Sequence, residues 1–277
     1  MAHDLSFIEA MEQDLLTARR KALWRPFARG IREYRLIAPG DTIAVCVSGG
    51  KDSMLLAVMM RMLQRHYEIP FEVRSLIMDP GYSPEHRRAV EENARALGIE
   101  YTLVESDVFE AAHELRERPC FMCARMRRGC LYRHAREMGC NKIALGHHFD
   151  DVIETTLMAM LYGGQLQAMP PMLNARNFPG MRLIRPLYRV RERDIIAWRD
   201  DYGLEFLQCA CSLARREADS RRLFVKRLIG DLDADHPKVS RNIFNSIHTA
   251  QVDSLVGWKY GGRVHSFLEG LEDGLFE

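Results

Sequence analysis

No stretch of this chain is apolar for the roughly 20 residues that a bilayer demands, so a membrane-spanning helix is excluded. Its first residues carry neither a basic segment nor an apolar core. No signal peptide is therefore expected, and the cytoplasm is the expected compartment. Charge is nearly absent in sum: the formal net value of +1 does not by itself announce a nucleic-acid partner. Cysteines number only seven, with none before Cys46 and none after Cys211. In a chain without a leader that usage argues against a disulfide framework, and the cysteine pairs of terminal zinc fingers are missing. There is no internal repeat and no low-complexity tract.

What is present is a core-forming composition, 47% hydrophobic over 277 residues, enough for one large or two modest domains. The stretch that organises it is Thr42–Val47 followed by Ser48-Gly49-Gly50-Lys51-Asp52-Ser53. A β-branched apolar run reads as a buried strand, the glycines as a turn, and the apolar spacing from Met54 as a helix. Such a turn aims backbone N–H groups and the positive end of a helix dipole at one anion. Gly49 and Gly50 admit close backbone approach, Ser48 and Ser53 offer hydroxyls, Lys51 a charge, and Asp52 a ligand for a metal ion on phosphates. An ordinary P-loop would need a glycine where Val45 stands and a hydroxyl residue where Asp52 stands, so that pattern is not met.

Around this loop strands and helices alternate. Residues 4–35 read as an amphipathic helix interrupted at Pro26, and the helix after the glycine loop runs to about His66. Strands are expected at 70–78, 99–104 and 142–146, with helices at 84–97, 122–138 and 151–161. The alternation over 42–161 predicts a doubly wound, mostly parallel α/β sheet with ligands beyond its carboxyl ends. Ser48–Ser53, Asp79 and Gly146–Asp151 all fall at such ends. Residues 163–179 form a long Gly/Pro/Asn-rich loop, Ile184–Leu187 a short edge strand, and 191–201 a helix. The expected organisation is a helical extension (1–35), an α/β domain (36–205) and a helical C-terminal region (206–277).

Arginines gather in three clusters: Arg19 to Arg35, Arg125 to Arg136, and Arg215 to Arg227. Each is readable as a phosphate-neutralising patch or as a solvated helix face with acidic neighbours. Cys120-Phe121-Met122-Cys123, entered by Pro119, puts two thiols on one side of a helix start, where neighbouring arginines would favour thiolates. Cys209-Ala210-Cys211 is a second pair. Together they suit a zinc site, an iron–sulfur cluster or, for the first pair alone, redox chemistry. Cys46, Cys130 and Cys140 read as buried small hydrophobes.

Three blocks then coincide: Ser48–Ser53, the run from Cys120 to Gly129, and Gly146-His147-His148-Phe149-Asp150-Asp151. The first resembles the signature of the PP-loop ATP pyrophosphatases. The set, with Ile184-Arg185-Pro186-Leu187, resembles the tRNA 2-thiocytidine synthetases, the TtcA family, over roughly residues 25–230. The resemblance implies adenylation of a cytidine in a tRNA anticodon loop by ATP, followed by sulfur transfer to C2. It implies a [4Fe–4S] cluster on Cys120, Cys123 and a third cysteine, Cys211, with Cys209 in reserve because the family's Cys-x-x-Cys is one residue shorter here. On the same basis Ser48, Gly49, Gly50, Lys51, Asp52 and Ser53 hold the pyrophosphate. Asp79 meets adenosine, Gly146 and His147 meet nucleotide or base, and Asp151 shares Mg²⁺ with Asp52. Catalysis would fall to Lys51, Asp52, Asp151, Cys120 and Cys123. Expected partners are tRNA and a sulfur donor such as a cysteine desulfurase or free sulfide, and a homodimer is one of the assemblies the sequence leaves open. Alternatives are a thiolase acting on tRNA uridine, an ATP-dependent amidating or ligating enzyme, and a non-catalytic iron–sulfur redox sensor.

Overall fold

The computed structural model describes residues 5–106, 108, 119–206 and 218–272. The chain divides into two compact units, Met1–Leu228 and Ile229–Glu277. The first is built on six strands: β1 (Thr42–Val47), β2 (Glu72–Asp79), β3 (Tyr101–Glu105), β4 (Lys142–Ala144), β5 (Met172–Asn174) and β6 (Arg182–Ile184). Their order is β3-β2-β1-β4-β6-β5, parallel throughout except for β5, which runs antiparallel to β6. The connections leave β1 in opposite directions toward β2 and β4, which makes their shared border the switch point where such sheets bind ligands.

Helices α1 (Leu5–Leu16), α2 (Arg25–Glu33), α3 (Lys51–His66), α4 (Pro84–Ala96), α5 (Pro119–Glu137), α6 (Phe149–Gly163) and α7 (Glu192–Asp201) surround the sheet, and α8 (Ala218–Asp235) follows. β1 has no alternation because it is central: five of its six residues are buried, as in parallel sheets covered on both faces. One core face joins Met11, Leu15, Phe27, Leu55 and Trp198; the other joins Ala44, Cys46, Tyr132, Ala135, Ile143 and Leu183. Residues 1–35 fall in the same compact unit as the sheet, and the buried apolar residues of α1 and α2 belong to the sheet's own core. At the amino end of the sheet the buried Lys142 ammonium donates to Asp41 Oδ2 at 2.5 Å and to the Leu36 carbonyl at 2.9 Å. Cys46, Cys130 and Cys140 are buried free thiols, and burial, with Cys140 nearby, pushes Cys46 up to about 12.

Two elements differ from expectation. Ile184–Leu187 is not an edge strand. The strand is Arg182–Ile184, it lies inside the sheet, and Pro186, which has no N–H to offer a ladder, opens the turn that ends it. The true edge is β5, three residues within the expected loop. In the second unit, α9 (Val239–Ser246) and α10 (Phe267–Glu272) are joined by a hairpin of β7 (Gly257–Tyr260) and β8 (Arg263–Ser266), in a region expected to be mostly helical. Its turn is Gly261-Gly262, both at positive φ, the backbone of a two-residue primed turn.

Candidate active site

β1 ends at Val47, and Ser48-Gly49-Gly50 turns the chain into α3. Gly49 sits at φ +83°, and a Cβ there would lie 2.5 Å from Val90 Cγ2, so only glycine fits. The hydroxyls close the loop on itself. Ser53 Oγ accepts from the Ser48 N–H at 3.0 Å, lies 3.2 Å from Ser48 Oγ, and donates to the Gly50 carbonyl at 2.9 Å. No side chain caps α3 from Gly50, so the dipole end faces the cleft. Gly146, after β4, packs on this turn. A Cβ at Gly146 would stand 3.0 Å from both the Asp52 carbonyl carbon and the Ser53 nitrogen.

The cleft holds about 470 Å³ and is lined by Ser48, Gly50, Asp52, Ser53, Met78, Gly146, His147 and Asp151, with Arg127, Arg128, Arg185 and Arg222 among its other walls. That is room for a nucleotide. A larger hollow of about 530 Å³ lies at the amino ends of β2 and β3 instead, the end where doubly wound sheets do not bind ligands.

The carboxylates at the cleft floor are organised by cations. Lys51 Nζ reaches Asp52 Oδ2 and Glu192 Oε1, each at 3.1 Å. Burial works to lower the Lys51 ammonium, but those two charges outweigh it and raise it. Burial likewise works to raise Glu192, while Lys226 and Lys51 pull it down to about 2. Arg222 bonds Asp151 Oδ1 at 2.5 Å and Glu154 Oε2 at 2.8 Å. His148 and Asp151 cap α6 reciprocally: the Asp151 N–H donates to His148 Nδ1, and the His148 N–H to Asp151 Oδ2. In the neutral ring the proton then sits on Nε2, which faces Asp151 Oδ2 at 3.4 Å and Asp52 Oδ1 at 3.8 Å. Burial of Asp151 is outweighed by the charges of His148 and Arg222, which hold its carboxyl low. His147 is driven to about 4, chiefly by burial, and is neutral at physiological pH.

Two buried atoms have no hydrogen-bond partner among the described residues in this cleft floor, Asp52 Oδ1 and His147 Nδ1. An orphaned carboxylate oxygen beside a second carboxylate, Asp151, fits Mg²⁺, which keeps several waters and takes one or two carboxylates with substrate phosphates. The described residues contain no cluster of three metal-binding side chains. Asp79 ends β2, where its Oδ1 accepts from the N–H groups of Gly81 and Tyr82, at 2.9 and 2.6 Å, and builds the turn that follows, while its neighbour Met78 lines the cleft. Cys120 and Cys123 lie in the first turn of α5, whose later residues Arg127, Arg128 and Leu131 line the cleft. Their side chains, and all of Cys209 and Cys211, lie outside the described residues. Sequence reasoning missed Glu192, Glu154 and the individual roles of Arg185 and Arg222. Only the Ile-Arg-Pro-Leu block and the third arginine cluster pointed near them.

A glycine cradle at the switch point of a parallel sheet, backed by a carboxylate pair, defines a nucleotide-binding α/β protein of the PP-loop class. Comparison agrees: the PP-loop domain family matches residues 23–217. The tRNA-cytidine(32) 2-sulfurtransferase of Anaeromyxobacter dehalogenans (strain 2CP-C) is 38% identical over 85% of this chain and 81% of its own. The protein of that name from Vibrio cholerae serotype O1 (strain M66-2) is 37% identical over 82% and 74%. Among solved structures, the U34-tRNA thiolase NcsA from Methanococcus maripaludis with its [4Fe-4S] cluster superposes with a TM-score of 0.64 at 23% identity, over 81% of this chain and 77% of that one, a likeness of fold. The chain belongs to the PP-loop family, in the branch of the tRNA-cytidine(32) 2-sulfurtransferases.

Proposed function

We propose that the protein is an ATP-dependent tRNA thiolase that adenylates the C2 oxygen of an anticodon-loop cytidine and exchanges it for sulfur. The chemistry requires activation because oxide is a poor leaving group and AMP is a good one. The glycine loop would take the β and γ phosphates on its backbone amides and hydroxyls. Asp52 and Asp151 would hold Mg²⁺, which neutralises phosphate charge as pyrophosphate departs. Neutral His147, with its unpartnered Nδ1, can hydrogen-bond the base without adding charge. Cys120, Cys123 and Cys211, soft thiolate donors, would hold an iron–sulfur cluster. When bound, that cluster supplies the site of sulfur delivery, fed by a cysteine desulfurase or by sulfide.

The observation that carries this is the shared cleft. Helix α5, which begins with the Cys-x-x-Cys run, walls the same cavity as the glycine loop. The cytidine target rests on the relatives' names. The test is nucleoside mass spectrometry of tRNA from a deletion strain carrying the wild-type gene, Asp52→Ala or Cys123→Ser. 2-Thiocytidine should vanish in the deletion and return only with the wild type. A thiouridine lost instead would make the target uridine, and full thiolation with Cys123→Ser would overturn the cluster route.

A further inference from the structure

Arg185 is the most deeply buried arginine of the cleft, 5% exposed, and it follows β6 on the far side of β4 from the glycine loop. One part of its guanidinium is accounted for: Nη1 donates to the Pro170 carbonyl. Its Nε is buried and has no hydrogen-bond partner among the described residues, and no carboxylate pairs with it there. A buried guanidinium without an anion is costly. Burial, with Arg128 adding to it, holds Arg185 down to about 10, against weak attraction from Tyr188, Tyr132 and Asp151. Lys51 and Arg222 differ: they are neutralised by Asp52, Glu192, Asp151 and Glu154, whereas Arg185 and Arg128 have no carboxylate partner among the described residues. The cleft therefore has a neutralised floor under the glycine loop and an uncompensated cationic wall toward β6.

We infer that Arg185 is a phosphate-binding residue, its guanidinium fork reserved for a phosphoryl oxygen of a nucleotide bound in the cleft. This rests on the thiolase reading and deepens it. A group this buried is reached only from inside the cavity, by a ligand of nucleotide size. With the outer phosphates on the Ser48–Ser53 cradle, the oxygens that face β4 and β6 belong to the α-phosphate. That group gains a negative charge when the C2–O bond of the adenylated base breaks and the bonding pair leaves on AMP. A fixed guanidinium there meets charge as it develops. The backbone phosphate of the target nucleotide is the other source of the same chemistry.

The experiment is calorimetric titration of the full chain and Arg185→Met with AMP, adenosine, inorganic pyrophosphate and an anticodon stem–loop RNA. AMP binding should weaken by about tenfold to a hundredfold, the value of one charge-assisted pair, with adenosine and pyrophosphate unchanged. A loss confined to the RNA also supports a phosphate site and assigns it to the RNA backbone. No loss for either, or an equal loss for adenosine, overturns the assignment. If Arg185→Met does not melt cooperatively, the Arg185 Nε–H resonance of the wild type, identified by its absence in Arg185→Lys, decides. It should move with AMP or RNA and stay still with adenosine; if it stays still with all three, the assignment falls. A wild-type chain that binds none of these ligands sinks the thiolase reading and this assignment with it. Normal wild-type binding that Arg185→Met leaves intact sinks the assignment alone.

Discussion

Asp52 and Gly146 show how single residues set the site. Asp52 presents one oxygen to Lys51 and leaves the other buried with no hydrogen-bond partner among the described residues, 3.8 Å from His148 Nε2. Asp52→Asn should therefore cut Mg²⁺-dependent pyrophosphate release by about a hundredfold or more, while the melting temperature changes little, since one part-exposed ion pair is worth about 1 kcal/mol or less. A large loss of melting temperature would make Asp52 a structural residue. Gly146 has no room for a methyl group against the first turn of α3. Gly146→Ala should cost about 1–3 kcal/mol of stability and weaken ATP binding, as measured by denaturant unfolding and calorimetry. Unchanged ATP affinity would mean that this close approach does not position the cradle. The glycine loop was legible because its chemistry is contiguous, with six residues carrying donors, turn and charge together. Arg185 was not, because an orphaned Nε exists only once β6 and Pro170 are packed around it. Asp79 shows a related limit: a carboxylate at a strand end is as well suited to capping its own turn as to meeting a ligand, and the sequence alone does not show the turn.

At the scale of elements, Glu192 ties three helices to the cradle. It stands in the first turn of α7, reaches Lys51 of α3 at 3.1 Å and bonds Lys226 of α8. Its folded pKa of about 2 lies below the ordinary value of 4.5. The stability it contributes is complete above pH 4.5 and is lost as pH falls through about 2. Glu192→Gln should therefore melt below the wild type at pH 7, and the gap should close between pH 4.5 and 2. A gap that is constant with pH would mean packing, not charge, joins these helices. The parallel strands were legible where apolar residues run into turn residues: 43–47 before the glycine loop, 76–78 before Asp79-Pro80-Gly81, and 143–145 before Gly146. β5 and β6 were not, because β5 lies in a Gly/Pro/Asn-rich stretch with no apolar run, and where β6 begins and ends is decided by its pairing with β4 and β5. The β7–β8 hairpin had a signal, Gly-Gly between two short β-prone runs, that the helical reading of the tail passed over.

For the molecule as a whole, a net charge of +1 conceals a partition of the arginines. In the first cluster Arg19 pairs with Asp14 at 2.7 Å and Arg29 with Glu33 at 3.2 Å; in the third, Arg222 pairs with Asp151 and Glu154, and Lys226 with Glu192. Those pairs fit the internally neutralised alternative that the sequence left open, while the exposed Arg20, Arg25, Arg32 and Arg35 of the first cluster have no carboxylate partner among the described residues. On α5 the exposed Arg125, Arg128 and Arg133 have no carboxylate partner among the described residues, and Arg128 stands at the cleft itself. Sequence alone could not separate the three, since pairing depends on which acids the fold brings near. The α5 stripe is the one that runs from the Cys-x-x-Cys turn past the cleft, the path an anticodon loop would follow to reach both. Phosphates meeting it release counterions, so tRNA affinity should fall linearly on a log–log plot against salt. Arg125→Ala and Arg133→Ala should each reduce that slope by about one, weakening all tRNAs alike and leaving AMP binding unchanged. Fluorescence anisotropy of labelled tRNA across a salt series measures it. A slope that neither substitution alters, with Arg29→Ala altering it instead, would move the RNA path to the first cluster and away from α5.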